Sequence, residues 1–217
     1  MANIFTVIGL GAFGRAAALQ LQQLGNHVIG VDINPKMVDE VKDDLSHVVI
    51  ADGTNRELLG EINVLQCKGV LVSIGDSLEA SLLCVSMLKS LGVGNIWAKA
   101  NTTAHHAILS DMGVRHIVHP ETSMGKRVAQ KMNLPLVKDM IRLSDEYLVT
   151  VLDIPTNTSM ALHEWAGGHD AVDILALYRH GQLTTPSVNE YLLAGDRIIV
   201  CSTGKGLNNL MKKMGLK

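Results

Sequence analysis

The chain has 217 residues and a formal net charge of −2, from 19 basic and 21 acidic side chains. This length allows one large domain or two small ones. Hydrophobic residues make up 47% of the chain and charged residues 18%, which favours a packed core and excludes a disordered protein. The near-neutral charge and 3% aromatic content provide no basic patch, so we expect no nucleic-acid partner.

The cysteines and the first residues bear on cellular location. Cys67, Cys84 and Cys201 lie far apart and show no C-x-x-C spacing, so we expect three buried free thiols in a reducing compartment. Residues 1–3 lead into an apolar run without a signal-peptide pattern, and every apolar run is shorter than a membrane span. These features predict a soluble, cytoplasmic protein.

The N-terminal residues have the pattern of a nucleotide-binding βαβ unit. An apolar run leads into residues 9–14, Gly-Leu-Gly-Ala-Phe-Gly, and Asp32 ends the next apolar run. In such a turn Gly9 allows the sharp bend, Gly11 lets the backbone approach a pyrophosphate, and Gly14 lets the helix pack closely. The helix N-terminus then faces phosphates and Asp32 faces ribose hydroxyls. The alternative is a glycine-rich turn in another kind of α/β protein.

Short apolar runs alternate with helical patterns as far as residue 132. The predicted strands are Ile4–Ile8, Val28–Asp32, Val48–Ala51, Val70–Ser73, Ile96–Ala100 and His116–Val118. The predicted helices are Gly14–Leu24, one capped by Asn34, one from Asp76 or Ser77 to Leu91, and one from Thr102 or Thr103 to Gly113. Because the strands are almost uniformly apolar, they predict a parallel sheet covered on both faces, a Rossmann-type doubly wound α/β fold.

The pattern changes near Asn133, after which the elements are shorter. Residues 179–182 predict a hairpin turn between Ile174–Tyr178 and Leu183–Thr185. A strand is expected over Arg197–Cys201, followed by a helix capped by Thr203. We therefore expect a Rossmann domain over residues 1–134 and a smaller α+β domain over residues 135–217.

Ligands of open α/β sheets bind outside the carboxyl ends of the strands, which directs attention to the residues found there. Asp52 follows the third strand and can bind an adenine edge, or act as a loop carboxylate or helix cap with Thr54. The run Ser73-Ile74-Gly75 brings backbone near the ribose or the phosphates, unless it only ends a strand. Lys99 interrupts a buried strand and needs a partner such as a phosphate, unless it is an edge lysine whose ammonium group reaches solvent.

Nine histidines suggest a metal site, but their spacing is unfavourable. His105 and His106 are adjacent on a predicted helix and point in different directions. His116 and His119 are oddly spaced on a strand, so they face opposite sides. Neither pair fits zinc. Glu121 begins a helix, where a carboxylate either stabilises the helix dipole or binds a cation.

The chain resembles the RCK (KTN/TrkA-N) domain proteins, among them the KtrA-type cytosolic regulatory subunits of bacterial Ktr potassium uptake systems. The resemblance is carried by Ile8–Gly14, by Val31–Asn34, by Ile96-Trp97-Ala98-Lys99-Ala100 and by His119-Pro120-Glu121-Thr122-Ser123-Met124-Gly125. Residues 143–147 and 193–197 are similar to the accompanying RCK-C (TrkA-C) domain. The resemblance spans nearly the whole chain.

This resemblance implies a regulatory subunit that is not an enzyme. It implies a homo-oligomeric ring, an octamer, docked on an integral membrane potassium transporter subunit of the KtrB type at the inner face of the cell membrane. Nucleotide binds the Rossmann cleft, and ATP favours the active state over ADP. Glu121 matches the glutamate that helps hold a divalent cation, Mg²⁺ or Ca²⁺, at the γ-phosphate.

The candidate nucleotide-binding residues come from the motifs and the resemblance together. They are Gly9, Gly11, Ala12, Phe13, Gly14, Asp32, Asn34, Asp52, Ser73, Ile74, Gly75 and Lys99. Many relatives carry an arginine where this chain has Ala12, which leaves the choice among ATP, ADP and NADH open. Two alternative functions remain, an NAD(H)-binding oxidoreductase and an NADH-responsive regulator. The first needs a proton-donating side chain beside the nicotinamide, and the second a basic DNA-binding helix.

Overall fold

A computed structural model of the chain describes residues 2–155, 160–162, 172–187 and 189–214. Contacts between residues divide the chain into two compact units, Met1–Met124 and Gly125–Lys217. Among the described residues, no helix has the length and apolar character needed to span a bilayer.

The first unit is built on a six-stranded parallel sheet with the order β3-β2-β1-β4-β5-β6. Its strands are β1 (Ile4–Ile8), β2 (His27–Asp32), β3 (His47–Ile50), β4 (Gly69–Val72), β5 (Ile96–Lys99) and β6 (His116–Val118). Every strand that was predicted for this unit is present, and its bounds differ from the predicted ones by one residue at most. This strand order is that of the Rossmann fold, so the predicted fold class is confirmed.

Helices cover both faces of this sheet, as the apolar strands require. They are α1 (Ala12–Gln23), α2 (Pro35–Asp39), α3 (Arg56–Glu61), α4 (Leu78–Ser90) and α5 (Thr103–Asp111), with a 3₁₀ turn at Val64–Gln66. The next helix, α6 (Pro120–Asn133), runs from the first unit into the second and buries none of its residues. One core places Val7 and Val28 of the sheet against Ala18 of α1. The other places Ile8 against Val85 of α4. The sheet is therefore doubly wound.

The helix ends follow the capping residues of the sequence. Asn34 accepts a hydrogen bond from the Lys36 amide, and Ser77 and Thr102 cap α4 and α5 through their hydroxyl oxygens. Sequence analysis missed α3, although Asn55 caps it by accepting bonds from two backbone amides. A short helix with little apolar periodicity gives a weak pattern.

The second unit contains a separate antiparallel sheet with the order β11-β10-β13-β8-β7. Its strands are β7 (Val137–Arg142), β8 (Tyr147–Asp153), β10 (Val172–Arg179), β11 (Gln182–Thr184) and β13 (Arg197–Thr203); β9 (Met160–Ala161) pairs with β12 (Tyr191–Leu192). A final helix, α7, spans Gly204–Lys213 and is capped by Thr203. A second, smaller domain was predicted, and it is present.

The predicted hairpin joins β10 and β11, and its turn residues His180 and Gly181 both have positive φ angles, 49° and 81°. Two positive φ values in a two-residue turn match the right-handed twist of a hairpin. The contact division at Met124 falls inside α6, whereas the sequence places the domain boundary after residue 134. That boundary stays a prediction.

A buried ion pair organises one end of the second sheet. Arg179 donates to both carboxylate oxygens of Asp196, at 2.8 and 2.6 Å, and Asp196 is 3% exposed. Burial raises the pKa of the Asp196 carboxyl, but hydrogen bonds from Arg179 and from the Leu193 amide outweigh burial and hold the pKa below its usual range. Arg179 thus compensates a charge that could not otherwise be buried.

The three cysteines are free thiols, but only Cys84 is buried. Cys67 and Cys201 are partly exposed, so the expectation of three buried thiols is wrong for two of them. Burial, and next the charge of Asp52, raise the pKa of the Cys84 thiol to about 12. This thiol is therefore protonated and inert at neutral pH.

Candidate functional site

A cavity of about 820 Å³ opens at the carboxyl edge of the parallel sheet, in the first unit. This volume lies in the range of small-molecule sites. Of the candidate residues, those that line the cavity are Gly9, Gly11, Ala12, Phe13, Asp32, Asn34, Asp52, Ser73, Ile74, Gly75, Lys99 and Glu121. Gly14 is absent from the lining, because it packs beneath the turn. The structure thus brings the sequence-derived candidates together around one cavity.

The glycine turn fits its surroundings closely at two of its three glycines. Gly9 has φ +93°, and a Cβ there would lie 2.8 Å from the backbone of Ser73. A Cβ on Gly14 would overlap the Gly9 carbonyl oxygen. Gly11 has open space instead, with nothing within 4 Å of a Cβ position. Gly9 and Gly14 therefore allow β1, α1 and the end of β4 to pack closely, and Gly11 leaves room for a ligand to approach the backbone.

The N-terminus of α1 has backbone amides that can bind an anion. Gly11 precedes this helix and has no side chain to cap it. The first amides of a helix lack partners within the helix, and the helix dipole is positive at this end. Ala12 and Phe13, the first two residues of α1, line the cavity. A phosphate group placed there would accept hydrogen bonds from these amides.

The Asp32 carboxylate has a structural role that sequence analysis did not foresee. Its Oδ2 accepts a hydrogen bond from the Leu10 amide at 2.6 Å, and its Oδ1 accepts one from the Asn34 amide at 2.8 Å. It therefore fixes the glycine turn to the end of β2. Each carboxylate oxygen has a second lone pair, so Asp32 can still accept from ribose hydroxyls.

Asp52 forms a local turn at the cavity wall. Its Oδ1 accepts hydrogen bonds from the amide and from the hydroxyl of Thr54, at 2.9 and 2.8 Å. The sequence left open an adenine contact, a loop carboxylate or a helix cap with Thr54. Asp52 is a loop carboxylate that lines the cavity, and the cap of α3 is Asn55 instead. Gly75 follows β4 and also lines the cavity. Its carbonyl oxygen accepts a hydrogen bond from the Asn101 side-chain amide at 2.6 Å.

The partner of Lys99 is a carboxylate. Lys99 Nζ lies 2.6 Å from Glu121 Oε1, and the two side chains are 13% and 66% exposed. The hydrogen bond from Lys99 holds the pKa of the Glu121 carboxyl below its usual range, and the Glu121 backbone amide lowers this pKa further. Since β5 lies between β4 and β6, the alternative of an edge-strand lysine is wrong.

A second cavity, of about 300 Å³, surrounds the Lys99–Glu121 pair. It shares Gly75, Asp76 and both members of the pair with the larger cavity. In the part of the chain that the structure describes, no three His, Cys, Asp or Glu side chains are grouped closely enough to hold a metal ion. A divalent cation at Glu121 would therefore need oxygen ligands from a bound phosphate and from water.

Sequence analysis missed several residues that the fold adds to the cavity. From α4 and the segment before it come Asp76, Ser77, Glu79, Ala80 and Leu83; Ile33, Met37, Gly53 and Thr54 come from the segments after β2 and β3. The α4 residues could have been found, because Ser77 was predicted to begin a helix directly after a strand that ends at this edge. Asp76 and Glu79 add two carboxylates to those of Asp32, Asp52 and Glu121, so the cavity lining is acidic. Lys99 is the cation among the described lining residues.

Comparison with known proteins places the chain in a family. The family model of the TrkA-N domain matches residues 5–120. Ktr system potassium uptake protein A of Bacillus subtilis is 32% identical over 94% of this chain and 93% of its own length. The protein of that name from Vibrio alginolyticus is 33% identical over 97% of both chains.

Solved structures share the fold. The GsuK RCK domain superposes with a TM-score of 0.67 at 17% identity, covering 99% of this chain and 48% of the GsuK chain. GsuK bound to NAD superposes with a TM-score of 0.64 at 16% identity. This chain spans about half or less of the GsuK chains that it matches. The chain belongs to the TrkA-N domain family, together with the Ktr system potassium uptake proteins, as its motifs predicted.

Proposed function

We propose that this chain is a nucleotide-sensing regulatory subunit of a potassium uptake system and not an enzyme. The observation that carries the proposal is the cavity at the carboxyl edge of the sheet, which runs from the glycine turn to the Lys99–Glu121 pair. The names of the relatives, Ktr system potassium uptake proteins, supply the transported ion. Nucleotide binding has support from GsuK, whose structures carry NAD and ADP.

The residues suggest how an adenine nucleotide would lie. Its phosphates would face the first amides of α1, beside Gly11, and its ribose hydroxyls would donate to Asp32. Asp52, further along the same edge of the sheet, is available to the adenine ring. The terminal phosphate would extend toward Lys99, since the cavity continues in that direction.

The charge of the cavity favours a divalent cation together with the phosphates. Five carboxylates line it, against the single described ammonium of Lys99; they belong to Asp32, Asp52, Asp76, Glu79 and Glu121. Ala12 occupies the position in the glycine turn at which the resemblance leads us to expect an arginine, so the turn adds no positive side chain. A triphosphate would bring further negative charge into this surrounding, and Mg²⁺ or Ca²⁺ bound between the terminal phosphate and Glu121 would offset it.

The Lys99–Glu121 contact provides a switch between ligand states. A terminal phosphate that reaches Lys99 competes with Glu121 for the ammonium group, and a cation bound with the phosphate attracts the carboxylate. Glu121 lies in the first turn of α6, so its new partner changes the contacts at the start of that helix. ADP, which lacks the terminal phosphate, would leave the pair as it is. This difference would let ATP favour the active state.

Exposed apolar side chains favour assembly into a ring. Leu78 of α4 is 50% exposed and Ile108 of α5 is 40% exposed, and together with Trp97 they lie on the surface of the first unit. We propose a homo-oligomer larger than a dimer, an octamer by resemblance, bound at the cytoplasmic face of the membrane to a KtrB-type potassium transporter subunit. Light scattering with nucleotide present tests the assembly, and a monomer would exclude the ring.

An NAD(H)-binding role remains as the second candidate, because GsuK has been solved with NAD bound. A competition titration of ATP, ADP and NADH on the purified chain decides between the ligands. An oxidoreductase would also change the absorbance of NADH when substrates are supplied, and an NADH-responsive regulator would bind NADH more tightly than ATP. Tighter binding of ATP without turnover would support the regulatory subunit.

The decisive experiment measures potassium flux with the membrane subunit reconstituted. Glu121→Gln keeps the side-chain shape and removes the charge, so ADP affinity should stay nearly unchanged while activation by ATP with Mg²⁺ or Ca²⁺ weakens. Glu79→Gln is the matched control, since Glu79 is in the first turn of α4 and lines the same cavity. If Glu121→Gln responds to ATP and the cation as the parent does, the proposed coupling is wrong.

A further inference from the structure

Two histidines from different elements of the first unit meet outside the nucleotide cavity. His106 belongs to α5, and His119 follows β6 directly. His106 Nδ1 and His119 Nε2 are 2.9 Å apart, whereas the ring centroids are 5.0 Å apart and the ring planes differ by 19°. Since the nitrogens are so much closer than the centroids, the two rings meet through their nitrogen edges and not through their faces.

In this arrangement the two imidazoles share one proton, which one nitrogen donates and the other accepts. A metal ion can take the place of that proton, because each nitrogen then turns its lone pair toward the ion. A tetrahedral zinc with Zn–N bonds of about 2.0–2.1 Å holds two ligand nitrogens about 3.3 Å apart. The nitrogens need to separate by only a few tenths of an ångström, and both rings must turn so that their lone pairs, which now point at each other, meet at the ion. His106 is exposed, so its ring has room to turn.

We propose that His106 Nδ1 and His119 Nε2 bind a divalent transition-metal ion such as Zn²⁺, Ni²⁺ or Cu²⁺. Imidazole nitrogen suits these ions, whereas Mg²⁺ and Ca²⁺ prefer oxygen. The site is therefore chemically different from the cation proposed at Glu121. Among the described residues no third His, Cys, Asp or Glu completes a cluster, so water supplies the remaining ligands. The bound ion would tie α5 to the segment that begins α6.

The neighbouring histidines do not take part, and this makes the assignment specific. His105 is 2% exposed and buried on the inner side of α5. His116 stacks on Trp97, with ring centroids 4.2 Å apart and ring planes 10° from parallel. Sequence spacing could not indicate this site, because spacing arguments compare only histidines that are close together in the chain. The ligand pair joins one histidine of each such group, 13 positions apart.

The test is a calorimetric titration of the full chain with Zn²⁺, using His106→Ala and His119→Ala. The parent should bind one ion, and each variant should bind it about ten-fold more weakly or worse, since even residues behind the ligands of a metal are worth about 10–100-fold. His116→Ala is the matched control and should bind Zn²⁺ as the parent does. The urea unfolding midpoint, measured on the same samples, should equal that of the parent in every variant; it reports folding and keeps this test separate from the proposed function.

Pulsed electron paramagnetic resonance of the Cu²⁺ complex counts the bound imidazoles in the parent itself, so its main result does not depend on the folding of a variant. The parent should show two equatorial imidazoles, and His106→Asn should show one. Retention of full Zn²⁺ affinity in both alanine variants would overturn the proposal. A single imidazole in the Cu²⁺ spectrum of the parent, or an equal loss of affinity in His116→Ala, would overturn it as well.

Discussion

Asp32→Ala is the most informative perturbation of the cavity at the carboxyl edge of the sheet, because the carboxylate has a structural and a proposed binding role. It accepts hydrogen bonds from the amides of Leu10 and Asn34, at 2.6 and 2.8 Å. These occupy two of the about four lone-pair positions of a carboxylate. The remaining positions are available to the ribose hydroxyls of a nucleotide.

The expected loss of affinity follows from the charge of the acceptor. A hydrogen bond to a charged group is worth about 1.5–3 kcal/mol, so Asp32→Ala should weaken adenine nucleotide binding about 10–150-fold. Calorimetric titration measures this change directly. Asp39→Ala is the matched control, since Asp39 is an exposed carboxylate of α2 outside the cavity lining. The affinity of Asp39→Ala for the nucleotide should equal that of the parent.

A second ligand separates the two roles of the carboxylate. If Asp32 binds the ribose, the parent should prefer ATP over 2′,3′-dideoxy-ATP by a factor that Asp32→Ala abolishes, because the variant has lost the acceptor. If the variant only loosens the glycine turn, both ligands should weaken equally and the preference should survive. Unchanged ATP affinity in Asp32→Ala, or a preference for ribose hydroxyls equal to the parent's, would refute the assignment.

Three further predictions concern charge and packing. Lys99→Met should raise the pKa of the Glu121 carboxyl toward its ordinary range, which an NMR titration of that carboxyl measures. Because this pKa is lowered in the parent, the stability that the Lys99–Glu121 pair contributes is present at neutral pH. It disappears as the pH falls through the lowered pKa. Gly14→Ala should destabilise the first unit by about 1–3 kcal/mol in urea unfolding, because its Cβ would overlap backbone, whereas Gly11→Ala should leave stability unchanged and weaken nucleotide binding. Arg179→Met should cost about 3–5 kcal/mol of stability at neutral pH, since it leaves a buried carboxylate without its partner; a loss below 1 kcal/mol would show that the pair is not needed.

Much of the first unit could be predicted because its local patterns and its tertiary structure agree. Strands such as β1 (Ile4–Ile8) are almost uniformly apolar and end at glycine or polar residues, which defines them without knowledge of their neighbours. The caps at Asn34, Ser77 and Thr102 act within three residues of their own position, so the helix starts were also visible. The rule for carboxyl strand ends then located the cavity.

What could not be predicted depends on contacts between distant residues. The second unit illustrates this, because β8 (Tyr147–Asp153) pairs with β13 (Arg197–Thr203), whose residues follow it by 44 positions or more. The same holds for His106 and His119, which are 13 positions apart. The histidines nearest to each of them in the sequence, His105 and His116, are badly placed for a shared metal ion. Asp32 was assigned to the ribose from its position, but its bond to Leu10 depends on the three-dimensional path of the glycine turn.

Lys99 shows why identifying a site residue does not define its partner. The sequence predicted that a lysine in a buried strand needs an anionic partner, with an edge lysine as the alternative, and both a phosphate and a carboxylate meet that need. In the structure Glu121 supplies it at 2.6 Å. An ammonium group has three donors, so it can bind a phosphate while it keeps or releases the carboxylate. Ligands that reach Lys99 and ligands that stop short of it therefore differ in free energy at this contact, and only such a difference can shift the protein between two states.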